Sequence, residues 1–91
     1  MRLLLVYDIP HDGTRAKVAD ICLDYGLDRI QYSAFLGDLK RVRQEEMMSK
    51  MRHRLGQRPG KIQMFPVCEK DWQARIEICQ EAPDDAGNTG Q

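Results

Sequence analysis

The sequence predicts an α+β fold in which the elements follow the order strand, helix, strand, strand, helix, strand. Three observations carry this prediction. An apolar run from Leu3 ends at Pro10, apolar residues recur at helical spacing in two later segments, and an extended stretch lies between those segments. The chain of 91 residues is long enough for one core. We therefore predict one domain over residues 1–79, followed by an acidic, disordered tail over residues 80–91.

The first strand is apolar on both faces, which predicts a central position in the sheet. One face holds Leu3, Leu5 and Tyr7, and the other holds Leu4, Val6 and Asp8. The strand ends at Asp8, whose carboxylate is costly to bury beside apolar neighbours unless something binds it. A single aspartate in this place is by default a helix cap or a turn carboxylate. The apolar pattern around Asp8 favours a functional role instead.

A helix follows the first strand, with Asp12 or Thr14 as its cap, and runs to about Tyr25. Its buried stripe consists of Val18, Ile21, Cys22 and Tyr25. Gly26 is a suitable terminator for this helix.

The segment 27–39 has an extended pattern and fits either one long strand or two short strands with a bend near Tyr32–Ser33. We prefer two strands, because two complete the element order given above. Gly37 would permit a bulge or a bend in the second of them.

A second helix is predicted over 40–55, followed by a glycine-rich turn and a strand over 61–67. Its apolar face consists of Met47, Met48, Met51 and Leu55. Pro66 suits an edge or terminal position of the strand. A short helical turn over 69–73 and a brief extra strand over 74–79, with Ile76 and Ile78 on one face, end the domain.

This order is that of the ferredoxin-like βαββαβ plait, with both helices on one face of the sheet. The strand pattern makes the other face apolar, and one chain supplies nothing to cover it. A second copy packed sheet to sheet would cover it, and symmetric dimers are the commonest oligomers. We therefore predict a homodimer in which two sheets pack face to face.

Composition limits the choice of partner and compartment. The formal net charge is zero, so the charge of the whole chain does not by itself indicate a nucleic-acid binder. No apolar run is long enough for a transmembrane helix, so no membrane partner is expected. A signal peptide is not predicted, because Asp8 interrupts the N-terminal apolar run. Cys22, Cys68 and Cys79 have no metal-ligand spacing and are interpreted as buried thiols of a cytoplasmic protein.

The basic residues are concentrated in the second half of the chain, where residues 40–61 hold eight basic and two acidic residues. Arg43, Lys50 and Arg54 are spaced by seven and four residues and share one helical face. We call these three residues the basic stripe. The stripe is either a nucleic-acid contact or a solvated surface paired with Glu45 and Glu46, and the sequence favours neither.

No serine–histidine–aspartate set with supporting context, histidine metal pair or glycine-rich phosphate loop is evident, so Asp8 is the main candidate for chemistry. One carboxylate binds Mg²⁺ weakly. In a two-fold dimer, two Asp8 side chains would share one metal while Arg15 and Lys17 hold a phosphodiester. The metal would then polarise the phosphoryl group and activate a water molecule.

Two stretches, VYDIP with Arg15 and Lys17 after it and GLDRIQYSAFLGDL, resemble CRISPR-associated protein 2 of the spacer-acquisition stage. The resemblance is close over residues 1–39 and extends to the layout of the rest. It implies the plait, a homodimer, and Mg²⁺-dependent endonuclease action on single-stranded RNA or double-stranded DNA, with Mn²⁺ as another possible metal. It also implies that the protein bridges two dimers of the adaptation integrase and binds the incoming DNA.

The resemblance implies roles for particular residues. Asp8 would be the metal-linked catalytic residue, Tyr7, Arg15, Arg29 and Phe35 would support it, and Lys17 would occupy a basic position. The segment 74–79 would be a strand added to the partner's sheet. Each residue has a structural alternative, such as a core role for Tyr7 and Phe35. A non-catalytic DNA-binding adaptor, in which Asp8 is structural, therefore stays open as a second function.

Overall fold

The computed structural model describes residues 1–82, which form a four-stranded antiparallel sheet and three helices. The strands are β1 (Arg2–Asp8), β2 (Asp28–Gln31), β3 (Ala34–Asp38) and β4 (Lys61–Val67), and the helices are α1 (Asp12–Asp24), α2 (Arg41–Leu55) and α3 (Glu69–Gln73). The order across the sheet is β2-β3-β1-β4. The predicted α+β plait is confirmed, with β1 in the centre.

The two faces of β1 have different surroundings. Leu3, Leu5 and Tyr7 lie in the core with residues of α1, α2 and β3, so this side is the helix face of the sheet. Leu4, Val6 and Asp8 lie on the opposite side, which we call the open face. The register places Leu36 of β3 and Phe65 of β4 on either side of Leu4, so an apolar row crosses the open face.

Helix α1 covers the predicted segment, but its cap differs from the prediction. The Nδ1 atom of His11 accepts a hydrogen bond from the backbone N–H of Thr14 at 3.1 Å, so the predicted cap at Asp12 or Thr14 is wrong. An imidazole nitrogen replaces the usual hydroxyl or carboxylate oxygen of a cap. Gly26 has φ +80°, as expected for a residue that ends a helix in a left-handed conformation.

The segment after α1 forms two strands joined by a turn at Tyr32–Ser33, which confirms the predicted bend. The pairing slips between Arg29 and Gln31, so the bulge lies in β2 rather than at Gly37. Gly37 has another role, because a Cβ atom there would overlap the Leu27 side chain and lie 3.2 Å from Leu27 Cα. The absence of a side chain lets the two segments approach closely.

Helix α2 buries Met47 and Met51 completely, in agreement with its predicted apolar face. Gln44 is also fully buried, and its amide donates to the carbonyl of Leu39 at 2.9 Å, which ties the helix to the preceding loop. Pro66 lies in β4, which is an edge strand. This position agrees with the prediction made from the missing backbone N–H of proline.

The predicted strand over 74–79 is wrong for the single chain, because the structure assigns no strand to residues 74–82. Ile76 and Ile78 are 92% and 88% exposed, so none of residues 1–82 pairs with this segment as a strand or buries its two isoleucines in a core. The predicted disorder of the tail concerns residues that, from 83 onward, lie outside the described part. Within residues 1–82, no helix has both the length and the apolar character needed to cross a membrane.

The cysteines do not share one environment. Cys22 is fully buried in α1, and burial raises the pKa of its thiol to about 12. Cys68 and Cys79 are exposed, so the prediction of three buried thiols is wrong for these two. The Sγ atom of Cys68 accepts a hydrogen bond from the backbone N–H of Asp71 at 3.4 Å, which caps α3.

Candidate functional site

Asp8 is exposed at the C-terminal end of the central strand β1, on the open face. The register places it opposite Lys61 of β4. Within residues 1–82, its carboxylate forms no ion pair. The carboxylate is therefore available to an external cation or a polar partner.

Arg15 is held against the loop that follows β1. Its guanidinium donates to the carbonyl oxygens of Ile9 at 2.9 Å and Pro10 at 3.3 Å, and to Oδ1 of Asp12 at 2.5 Å. The hydrogen bond to Asp12, and then the hydroxyl of Tyr32, raise the pKa of Arg15 against the opposing effect of desolvation. Arg15 therefore has a fixed orientation and a charge already balanced by Asp12.

Four further side chains form a stacked cluster on the helix face. The rings of Tyr7 and Phe35 stack with centroids 6.2 Å apart. The guanidinium of Arg29 lies 5.0 Å from the Phe35 ring centroid and 5.9 Å from the Tyr32 ring centroid. The guanidinium of Arg15 also lies over Tyr32, 5.7 Å from the ring centroid. Cation–π contacts of this kind hold a guanidinium in place without neutralising it.

The structure divides the catalytic set that the sequence predicted. Tyr7, Arg15, Arg29 and Phe35 lie together on the helix face, whereas Asp8 lies on the open face. Neighbouring residues of a strand point to opposite faces, so Tyr7 and Asp8 separate although they are adjacent in the chain. Phe35 has no solvent-accessible surface.

Tyr32 belongs to this cluster and was missed by the sequence prediction of the site. It lies in the turn between β2 and β3 and is 70% exposed, so its ring is available to a ligand. Its position at the bend between two predicted strands was the signal available in the sequence, because turn side chains face solvent.

The basic stripe is partly neutralised within the chain. Arg43 and Lys50 lie 2.9 and 4.0 Å from the Glu46 carboxylate, and both cations lie over the ring of Tyr25. The hydrogen bond from the Tyr25 hydroxyl is the main cause that lowers the pKa of Glu46. Desolvation opposes it, and the charges of Arg43 and Lys50 add smaller lowering effects. Arg54 lies beside Lys50 and His53 in an open cleft between α1 and α2, and Lys17 is exposed on α1.

No group of three or more histidine, cysteine, aspartate or glutamate side chains is arranged to hold a metal ion among the described residues. A metal at Asp8 would therefore need ligands from a second copy, water or a substrate.

Residues 1–75 match the family model described as CRISPR associated protein Cas2. The chain belongs to the Cas2 family. The resemblance seen in the sequence is therefore confirmed. This chain is 44% identical over 86 residues to a protein of Chloroflexus aurantiacus named CRISPR-associated endoribonuclease Cas2 2, and the match covers 94% of this chain and 100% of the relative. It is 41% identical over 88 residues to a CRISPR-associated endoribonuclease Cas2 of Desulforudis audaxviator, covering 94% and 83%.

Solved structures of Cas2 type share the fold. A Streptococcus pyogenes Cas2 superposes with a TM-score of 0.72 at 24% identity, covering 88% of this chain and 100% of the other. A chain from a structure titled partial Cas6-RT-Cas1--Cas2 complex superposes with a TM-score of 0.67 at 26% identity, covering 85% and 89%. These matches support the Cas2 plait seen here, while the site residues of this chain stay predictions.

Proposed function

We propose that this Cas2 protein is a metal-dependent endonuclease that acts as a homodimer on single-stranded RNA or double-stranded DNA. The observation that carries the proposal is the position of Asp8, an exposed carboxylate without an ion pair at the end of the central strand. The names of the relatives from Chloroflexus aurantiacus and Desulforudis audaxviator, both endoribonucleases, support a nuclease.

A divalent metal fits the donor chemistry of Asp8 when a second copy or a substrate contributes. Mg²⁺ typically takes one or two carboxylates and completes its coordination with water and phosphate oxygens. Two Asp8 carboxylates related by a two-fold axis would make such a donor set, with Mg²⁺ or Mn²⁺ as the ion. When bound, the ion would supply polarisation of the phosphoryl group and a more acidic water.

The homodimer is supported by two apolar surfaces that are exposed in the single chain. The first is the row across the open face, which includes Phe65 at 46% exposure. The second is the exposed pair Ile76 and Ile78, which lies in the segment after α3 that forms no helix or strand within residues 1–82. The free edge of β4 has backbone groups to pair with an added strand.

A groove beside that edge offers a place for the isoleucines. It lies between α2 and β4, has a volume of about 510 Å³, and is lined by Met48, Leu55 and Ile62 among others. Ile76 and Ile78 are two residues apart, so in a strand they point to the same face. An added strand from the partner would carry both toward this groove, which is the arrangement we propose.

An assay of cleavage tests the proposed activity. Wild type and Asp8→Asn are compared on single-stranded RNA and on duplex DNA, each with Mg²⁺ and with a chelator. We expect cleavage by wild type with Mg²⁺ but not with the chelator, and none by Asp8→Asn. The substitution should leave the dimer intact, because asparagine matches aspartate in size and removes the repulsion between two facing carboxylates. Cleavage that survives the substitution, or that persists in chelator, would remove Asp8 from the mechanism.

We further propose that the protein bridges dimers of the adaptation integrase during spacer acquisition. The solved chain at 26% identity comes from a structure whose title names Cas1 together with Cas2. A Thermoproteus tenax relative, 34% identical over 83 residues, is named a Cas1/Cas2 fusion. Co-purification of this chain with its own integrase tests the proposal, and elution of the two proteins as separate species at micromolar concentration would contradict it.

The second candidate function is a non-catalytic DNA-binding adaptor. It is favoured by the basic stripe on α2, because lysine and arginine side chains contact DNA phosphates without a metal ion. The stripe would release counterions from DNA, so each lost contact lowers the salt slope by about 0.9 for duplex DNA. The variant Arg43→Ala, Lys50→Ala, Arg54→Ala should bind duplex more weakly and with a flatter slope.

Glu46 gives this test a matched control. It pairs with two of the three stripe residues, so Glu46→Gln frees their charge and should strengthen duplex binding. Unchanged affinity and slope in the triple variant would mean that the stripe only solvates α2. The contact with DNA would then lie elsewhere, with Arg15 and Lys17 as the next candidates.

A further inference from the structure

The helix face carries a small cavity that the Asp8 site does not use. It lies between α1 and the β2–β3 turn and has a volume of about 210 Å³. Its lining includes Tyr7, Asp12, Arg15, Arg29 and Tyr32, and the small side chains of α1 leave the space open. Pockets that enclose a drug-sized ligand usually measure roughly 300–1,000 Å³. This cavity therefore has room for one small polar group.

The charge of the lining suits a single negative charge. Two guanidiniums face one carboxylate, and that carboxylate already pairs with Arg15. No acidic side chain among residues 1–82 forms an ion pair with Arg29. The aromatic rings beside Arg29 hold its guanidinium in place but leave its hydrogen-bond donors free.

Tyr7 supplies the second observation. The residue is 6% exposed, and its hydroxyl is shielded from solvent and has no hydrogen-bond partner among residues 1–82. Buried polar groups without a partner are rare in native proteins. The side chains of Arg29 and Tyr32 are exposed at the rim, so their movement would let an anionic oxygen reach the Tyr7 hydroxyl.

We propose that this cavity binds one phosphate group of an unpaired nucleotide, whose base stacks on the exposed ring of Tyr32. This inference rests on the proposed action on nucleic acid and assigns it a second contact, on the opposite face of β1 from Asp8. Arg29 and the Tyr7 hydroxyl donate to the phosphate oxygens, and a phosphodiester carries the single charge that the lining leaves uncompensated. A base in a duplex is already stacked on its neighbours, so the site selects single-stranded segments.

Binding of a mononucleotide to the full-length protein tests the proposal. Calorimetric titrations use uridine monophosphate, uridine and inorganic phosphate as three separate probes. They are run at about pH 5, where a phosphomonoester, whose second pKa is roughly 6, carries the single charge of a phosphodiester. We expect the nucleotide to bind more tightly than either fragment, because only the nucleotide occupies both the cavity and Tyr32. Equal affinity for nucleotide and inorganic phosphate would reduce the site to an anion site and overturn the base contact. No binding of the nucleotide would overturn the proposal altogether.

Two pairs of variants separate the contacts. Tyr7→Phe should weaken the binding of the nucleotide roughly tenfold or more, because it removes a hydrogen bond to a charged group, and should leave the binding of uridine unchanged. Tyr32→Ala should weaken the binding of the nucleotide roughly fivefold or more, whereas Tyr32→Phe keeps the aromatic ring and should keep the affinity. Arg58→Gln removes a cation from an exposed turn outside the cavity and should leave the affinity unchanged.

Stability distinguishes a binding role of Tyr7 from a structural one. Its hydroxyl has no hydrogen-bond partner in the described part of the chain, so Tyr7→Phe should keep or raise the melting temperature while weakening the binding of the nucleotide. A lower melting temperature with unchanged nucleotide affinity would overturn the assignment. Asp8→Asn should bind the nucleotide like wild type. If the wild-type protein cleaves nucleic acid but does not bind the nucleotide, only the proposed cavity site is refuted. If it binds the nucleotide but does not cleave, only the proposed nuclease activity is refuted.

Discussion

Replacing Ile76 and Ile78 by alanine should separate the proposed dimer. Each substitution removes three carbon atoms, and burial is worth about 0.8 kcal/mol per carbon, which gives roughly 2.4 kcal/mol per side chain. The two side chains are 92% and 88% exposed in one chain, so nearly all of their area is free to be buried by a partner. A symmetric dimer buries four of them. With half of the area buried, the loss is about 5 kcal/mol, or between three and four decades in dissociation constant.

Sedimentation equilibrium at micromolar concentration measures this change. We expect twice the chain mass for wild type and a largely monomeric double variant. A control that removes exposed apolar area from the helices, Leu23→Ala with Val42→Ala, starts from 55% and 67% exposure and should stay dimeric. An intact dimer in the isoleucine variant would refute the proposed strand addition. A monomeric wild type would refute the dimer itself.

Three further predictions concern the stability and chemistry of the fold. Gly37→Ala should destabilise the protein by about 1–3 kcal/mol, because its Cβ overlaps Leu27, and a thermal melt measures the loss. In a variant whose other cysteines are replaced by serine, the thiol of Cys22 should react with a disulfide reagent only after unfolding, because it is fully buried. The Tyr25 hydroxyl lowers the pKa of Glu46, so the resulting stability is present above about pH 4.3, the pKa of a free glutamate, and is lost as the pH falls from there through the lowered pKa of Glu46. Measured against pH, the loss of stability in acid should therefore be smaller in Glu46→Gln.

Most of the fold was predictable because its signals are local. The apolar run of β1 indicated a central strand, and the methionine spacing of α2 indicated its buried face. The predicted strand over 74–79 was wrong because an alternating pattern forms a strand only when a neighbouring strand pairs with it. Among residues 1–82, no strand pairs with that segment. The predicted cap at Asp12 or Thr14 was wrong because His11 caps the helix instead, and an imidazole acceptor is rare in that role.

The candidate site was predictable in its members and not in its arrangement. Asp8 was located correctly at the C-terminal end of β1, but it is exposed there, so the expected cost of burying its carboxylate does not arise. The alternation of side chains along a strand already separates Tyr7 from Asp8, yet the resemblance grouped them as one set. Tyr32 was missed because its value depends on two guanidiniums from different elements that approach one ring.

Cleavage by mixed dimers tests most directly the claim that two copies of Asp8 build one site. Wild-type and Asp8→Asn chains are unfolded together, refolded at a fixed total concentration, and assayed with Mg²⁺ at several mixing ratios. If both carboxylates are needed, activity follows the square of the wild-type fraction, so an equal mixture retains about a quarter of the activity. Activity in simple proportion to the wild-type fraction, with about half retained in the equal mixture, would mean that each Asp8 works alone and would contradict the shared site.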